Sequence, residues 1–323
     1  MAVINSCHYF FLYSQLATLS PSLASTYRFS SPRKSLRTQI TCSATPASSN
    51  PMEGRRKFME FPYVSAPVRN LMVDLVSTLE NRLDSQLLPC TLPSDVQYYE
   101  NQTGNAQASL QIRSGLHSSP IDFILGSWIH CDLPTGGALN ITSLSTYLNS
   151  STDAPNFVIE LIQSSATSLV LILDLPPRKD PVLYPDYLHN FYESTQLDTY
   201  RQTLEKIPEV TPYFSPSLYV RCFFSPTSIM VRVETEAGDS ARMEEIVGSY
   251  VDPVAKDVLG IWLNHCACGG REVGETEKDY LKKRDSLARN KTIEIDLGSS
   301  LPRLFGPEVG GRVLAEIRKV LIA

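Results

Sequence analysis

The stretch NFVIELIQ, residues 156–163, decides the fold. Phe157, Ile159 and Leu161 alternate with Val158, Glu160 and Ile162. That period of two reads as a β-strand, apolar on both faces, which asks for a covering layer on each side. Glu160 is the anomaly. An ionised carboxylate in an apolar layer is costly unless it is paired or neutralised. Its face-mates Val158 and Ile162 are apolar, so its pKa is expected to be raised and it can hold a proton near neutrality. That suits a proton donor in a hydrophobic pocket. The same alternation returns in KTIEIDLGSS, residues 291–300, and reads as the last strand. There Glu294 and Asp296 share a face. Exposure, or pairing with an arginine such as Arg221 or Arg232, is the simpler reading of Asp296.

Outward from residue 163, SLVLIL (168–173) follows after SSATS as a second buried strand. VQYYEN (96–101), ASLQIRSG (108–115), IDFILGSWIHC (121–131) and ALNITSLSTYL (138–148) precede it, parted by turns rich in Gly, Asn, Ser and Pro. Strands joined this closely pair antiparallel, since parallel pairs need long crossovers. SAPVRNLMVDLVSTLENRL (65–83) is an amphipathic helix through Val68, Leu71, Met72, Leu75 and Leu79, with Ser65 at its N-cap and Pro67 in its first turn. Beyond Pro185 the pattern turns helical. SLYVRCFF (217–224) and SIMVRVETE (228–236) read as a hairpin, and further helices run over 240–266, 277–290 and 307–322. The class is α+β: a central antiparallel sheet with helices on both faces, an α/β/α sandwich.

The chain has 323 residues and a net charge of −5. Residues 1–52 contain no acid but carry Arg28, Arg33, Lys34 and Arg37 among many Ser and Thr. That composition predicts a chloroplast transit peptide over 1–48 ahead of one catalytic domain over 49–323. Its removal moves the net charge from −5 to −9, which does not suit a nucleic-acid partner. No apolar run approaches the roughly 20 residues of a membrane span. Cys90, Cys131, Cys222, Cys266 and Cys268 are odd in number and scattered, as in a reducing stroma rather than a disulfide framework. A mitochondrial share is left open.

Several chemistries find no support. No G-x-G-x-x-G or P-loop pattern occurs, and no G-x-S-x-G elbow. His265, Cys266 and Cys268 lack metal-clip spacing and read as a helix terminus. His117, His130 and His189 have no evident triad partners, and His130 reads as a satisfied core residue. LDLPPRKDPVLYPDYLHNFYE (173–193) reads as a rigid connection, or else as one wall of an apolar pocket.

Long stretches of the chain resemble a known family. SAPVRNLMVDLVSTLENRL, DVQYYENQTGNAQASLQIRSG, LGSWIHCDLPTGGALNITSL, LNSSTDAPNFVIELIQSS and KTIEIDLGSSLPRLFGPEVGGRVL are similar to plant red chlorophyll catabolite reductases, over roughly residues 60–323. The resemblance implies a chloroplast enzyme that reduces red chlorophyll catabolite, a linear tetrapyrrole, to the primary fluorescent catabolite. It implies electrons from reduced ferredoxin and no bound cofactor or metal. It also implies the fold of ferredoxin-dependent bilin reductases, a homodimer, and coupling to pheophorbide a oxygenase, which makes the substrate. Glu160 and Asp296 match the family's substrate-site acids. The position that influences product stereochemistry falls on Phe223 or Phe224, with Phe223 preferred. Docking of acidic ferredoxin on an acidic chain calls for a local basic patch. Lys282, Lys283, Arg284, Arg289 and Lys291, with Arg178 and Lys179, are the candidates, against the simpler reading of a solvated helix face. A non-catalytic carrier that sequesters the phototoxic catabolite is the competing function. A bilin reductase acting on biliverdin is disfavoured by the length of the matching segments.

Overall fold

A computed structural model describes residues 51–134, 136–269 and 273–322, without the side chains of Pro51, Met52 and Asp296. The expected leader, 1–48, lies outside the described residues. Among the described residues, eight strands form one antiparallel sheet: β1 Tyr98–Glu100, β2 Ala106–Ser114, β3 Ile121–Asp132, β4 Ala138–Leu148, β5 Phe157–Ser165, β6 Ser168–Asp174, β7 Val210–Pro212 and β8 Ile229–Glu234. Their spatial order is β1-β2-β3-β4-β5-β6-β8-β7. The first six are consecutive neighbours, as short links between them require.

Among the described residues, ten α-helices cover the sheet: α1 Pro51–Glu60, α2 Ala66–Leu83, α3 Ser94–Gln97, α4 Pro185–Leu188, α5 Asp198–Leu204, α6 Leu218–Phe223, α7 Ser240–Ile246, α8 Asp252–Trp262, α9 Glu275–Thr292 and α10 Gly298–Leu321. Wider helical turns extend α4, α7, α8 and α9 at their C-termini. The α8 extension carries His265 and buried Cys266, with Cys268 at its C-cap, so these residues end a helix.

β5 is buried on both sides, and the two sides belong to different cores. Phe157, Ile159 and Leu161 pack in a cluster with Leu71, Leu75 and Leu79 of α2 and Trp262 of α8. Ile162 shares a cluster with Ile172 of β6, Ala288 of α9 and Phe305 and Val313 of α10. This is the expected sandwich, and its physical origin is the double apolar alternation read at 156–163. α2 buries Val68, Leu71, Met72, Leu75 and Leu79, the predicted stripe. Ser65 holds the N-cap position, but its hydroxyl accepts no capping hydrogen bond.

Two segments differ from the sequence reading. Residues 218–223 form helix α6, not a strand of a hairpin. Val220 and Phe223, three apart, turn inward while Leu218, Arg221 and Cys222 face out. Ser217 accepts from the Val220 amide and caps it. β8 pairs instead with β6 and β7. Residues 291–297 are also helical and join α9 to α10. Ile293 and Leu297 are buried and Glu294 is exposed. Five residues of I-E-I-D-L satisfy a spacing of four as well as a period of two, so alternation alone could not separate the cases.

α10 bends at Gly306, whose φ of 81° is a left-handed value that other residues adopt only under strain. The bend folds the helix back on itself. A Cβ on Gly310 would lie 2.6 Å from the Leu301 carbonyl carbon, whereas one on Gly311 would meet nothing.

Candidate functional site

On the face covered by α9 and α10, a row of polar side chains crosses the sheet. Ser127 of β3 opposes Ser143 of β4, and Ser143 opposes Glu160 of β5. The Ser127 and Ser143 hydroxyls are 2.7 Å apart. Glu160 is 2% exposed, and Ser143 is fully buried. On its other side Glu160 faces Ile172 of β6. One row further along the sheet, Ser145 opposes Val158 and Val158 opposes Asp174. The apolar residues around this polar strip are Phe123, Leu125, Ile129, Tyr147, Ile162 and Ile172.

Asp174 is 3% exposed and accepts hydrogen bonds from both the amide and the hydroxyl of Ser225. Burial raises its carboxyl to about 6, against the opposing pull of those bonds. Tyr147, on the same face, is pushed above the usual phenol range by burial, with Arg289 opposing.

Phe223 is buried against this face, and Phe224, half-buried, meets it edge-on at 5.9 Å between ring centroids. The Arg284 guanidinium lies 5.8 Å from the Phe223 ring centre. A groove of about 440 Å³ opens between α6 and α9, lined by Tyr219, Cys222, Phe223, Lys283, Arg284 and Leu287 among others. A larger cavity, about 640 Å³, lies across the sheet between α1, α2 and the β2–β3 pair, against Phe58, Leu79, Arg113 and Leu144. Glu160 lines neither. It is buried on the face of the sheet that α9 and α10 cover.

The structure brings Glu160 and Phe223 into one apolar layer. For Asp296 it gives the backbone alone. Asp296 lies in the helical turn Ile293–Leu297, and the Ile293 and Leu297 side chains share the core with Ile162 and Ile172. The side chain of Asp296 lies outside the described residues. Asp174, Ser225 and the Ser127–Ser143 pair were missed by sequence reasoning. The available signal was an acid closing the apolar run SLVLILD.

The expected basic patch is mostly committed elsewhere. Arg178 is fully buried; it pairs with Asp285 at 2.5 Å and donates to the carbonyls of Asn149 and Thr152. Lys179 pairs with Asp153 and Glu277, Arg289 with Asp122, and Lys291 with Glu294. Arg284 pairs with Asp285 and donates to the Pro177 carbonyl. Lys282 is 3.8 Å from Asp279 on the exposed helix surface. Lys283 is exposed and makes no ion pair among the described residues. The 173–193 segment is the rigid connection rather than a wall of this site. Tyr187, Phe191 and Tyr192 pack into the opposite core, and the Tyr192 hydroxyl donates to the Leu175 carbonyl. His130 is half-buried on that opposite face, bonded to Asn140 and stacked on Tyr63 at 3.8 Å.

A buried carboxyl in an apolar layer beside hydroxyls and aromatic rings can hold and deliver a proton to a flat apolar ligand laid over it. Among the described residues no group of His, Cys, Asp and Glu is placed to hold a metal ion, and no helix is long and apolar enough to cross a membrane.

Comparison with known proteins bears on this geometry. A family model described as red chlorophyll catabolite reductase (RCC reductase) matches residues 67–319. The chain is 54% identical over 316 residues to an Arabidopsis thaliana protein named "Red chlorophyll catabolite reductase, chloroplastic", covering 97% of each. It is 44% identical over 283 residues to the Oryza sativa subsp. japonica "Red chlorophyll catabolite reductase 1, chloroplastic", covering 86% of this chain and 84% of that one. Among solved structures, tomato phytochromobilin synthase in complex with biliverdin superposes with a TM-score of 0.56 over 77% of this chain and 82% of that one. At 16% identity that likeness shows the fold alone, which is the one expected. Matched over most of its length by the family model and by relatives of this similarity, the chain belongs to the red chlorophyll catabolite reductase family.

Proposed function

We propose that this chain reduces red chlorophyll catabolite in chlorophyll breakdown, with Glu160 as proton donor. The observation that carries the proposal is a carboxyl 2% exposed in the apolar layer between the sheet and the C-terminal helices. A carboxylic acid so placed can donate a proton to a ligand laid over it. Family membership supports the substrate, since the relatives are named for it. Their names also support a chloroplast address, and the acid-free, Ser-rich composition of residues 1–52 agrees with it.

Reduction of one methine bridge takes up two electrons and two protons, and forms two C–H bonds. Ferredoxin would supply the electrons one at a time. The protein binds, orients and protonates, while the radical chemistry resides in the tetrapyrrole. Asp296 would bind pyrrole N–H groups or relay the second proton, and Phe223 would bias the face on which a proton arrives. Of the expected patch, the exposed Lys282 and Lys283 of α9 would meet ferredoxin. A homodimer and coupling to the oxygenase that supplies the substrate rest on family resemblance.

The test is an anaerobic assay of the mature chain with red chlorophyll catabolite and photoreduced ferredoxin, read by fluorescence of the product. Ferredoxin-dependent fluorescence, lost in Glu160→Gln, supports the reductase and its donor. Tight binding without product supports the carrier instead.

A further inference from the structure

β6 ends on Asp174, and its side chain lies on the face that carries Glu160. Glu160 opposes Ile172 and Asp174 opposes Val158, so the two acids stand diagonally across one strand pair. Asp174 does not reach toward Glu160's row. It reaches past the end of the β6–β8 ladder, whose last pair is Leu173 with Ile229, to Ser225. The Ser225 amide donates to Oδ2 at 2.8 Å, and the hydroxyl donates to Oδ1 at 2.5 Å. The same hydroxyl accepts from the Thr227 amide at 3.1 Å and so closes the turn between α6 and β8. Among the described residues, the side-chain hydrogen bonds that tie 224–228 to the sheet all end on Asp174.

Two residues before Ser225 stands Phe223, a wall of the groove between α6 and α9. α6 is a helix of 6 residues, too short to hold its place by its own hydrogen bonds. Its C-terminal end is therefore pinned by a buried carboxyl, on the strand next to the one bearing Glu160. A carboxyl at this place is costly to bury, which a Ser–Asn pair would avoid.

We propose that Asp174 is a positioning residue, which through Ser225 sets the place of Phe223 relative to Glu160 and so governs how a ligand lies when it is protonated. This rests on the reading of the Glu160 face given above.

Asp174→Asn and Ser225→Ala separate the possibilities. The first readout needs no ligand: amide hydrogen exchange across 218–228, by mass spectrometry. Loss of the charge-assisted bond is expected to speed exchange there about tenfold or more, with β5 unchanged. Wild-type exchange in both variants overturns the proposal. The second readout is turnover of red chlorophyll catabolite with reduced ferredoxin. Both variants are expected to raise KM and alter the ratio of product epimers. Adding Phe223→Ala to Asp174→Asn should then shift that ratio no further than Phe223→Ala alone. A fall in rate with KM and epimer ratio unchanged would mean a structural role only, and overturns it. If wild type makes no product, the reading of the Glu160 face fails, and the exchange result still decides whether Asp174 holds α6. Ser225→Ala carries the test should Asp174→Asn not fold.

Discussion

Glu160 and Ser143 oppose each other directly across β5 and β4, both buried, and Ser143 contacts the Ser127 hydroxyl at 2.7 Å. A carboxyl is thus set at the end of a hydroxyl row inside an otherwise apolar layer. Glu160→Gln keeps the shape and removes the proton. It is expected to keep the fold with little change in stability, because amide and carboxyl share one size and shape. Turnover should fall about 10²–10⁴-fold, the usual worth of a positioned acid. Circular dichroism, urea unfolding and the ferredoxin-coupled assay check the three parts.

Asp174 makes stability depend on pH in an unusual direction for a carboxylate. Its folded pKa is raised to about 6 from an ordinary value of 3.8. Between these values the unfolded chain has released the proton that the folded chain keeps. Stability from this group is therefore full below about pH 4 and is lost as pH rises through about 6. The difference in unfolding free energy between wild type and Asp174→Asn should shift against wild type by about 2 kcal/mol from pH 4 to pH 7. Urea titrations at four pH values measure it. A flat difference would mean that the carboxyl is not so perturbed.

Arg178 and Asp285 fasten the loop after β6 to α9 through a buried pair at 2.5 Å. Removal of one partner leaves an uncompensated buried charge, so Asp285→Ala should destabilise by about 3–5 kcal/mol. Replacing both residues with apolar ones should restore much of that. Equilibrium unfolding of the single and double variants gives the comparison.

Gly310 and Gly311 are neighbours in α10 with opposite demands. A Cβ on Gly310 meets the Leu301 backbone, and one on Gly311 meets open space. Gly310→Ala should destabilise by about 1–3 kcal/mol through overpacking. Gly311→Ala should stabilise by about 0.5–1 kcal/mol through helix propensity. Thermal melts of the two variants should move in opposite directions.

Ferredoxin docking through Lys282 and Lys283 predicts that added salt weakens ferredoxin-supported turnover, since exposed charges are screened. Reversal of both to Glu should raise the KM for ferredoxin and leave binding of the tetrapyrrole unchanged. Salt-independent turnover would count against this surface.

The sheet was legible because its strands are long and locally determined. β5 is apolar at five of its first six positions and β6 at five of its seven, and double-sided alternation over six residues has few other meanings. α2 was legible for the same reason, through a stripe repeated from Val68 to Leu79, about three turns. Two shorter segments were not. LYVRCFF and KTIEIDL each fit a strand and a helix, and only packing against the sheet chose. The basic residues show a different limit. Composition counts charges but not partners, and Arg178, Lys179 and Arg289 turned out to be spent on Asp285, Asp153, Glu277 and Asp122.

By itself the sequence determined the sandwich, the family, and Glu160 as the residue out of place, because each is written in contiguous residues whose neighbours set their environment. The tertiary structure decided what stands around Glu160. Ser143 is 17 positions away and Asp174 is 14, while Ser225 lies 51 beyond Asp174. Register and loop closure bring such residues together, and a sequence pattern carries no record of contacts made across strands.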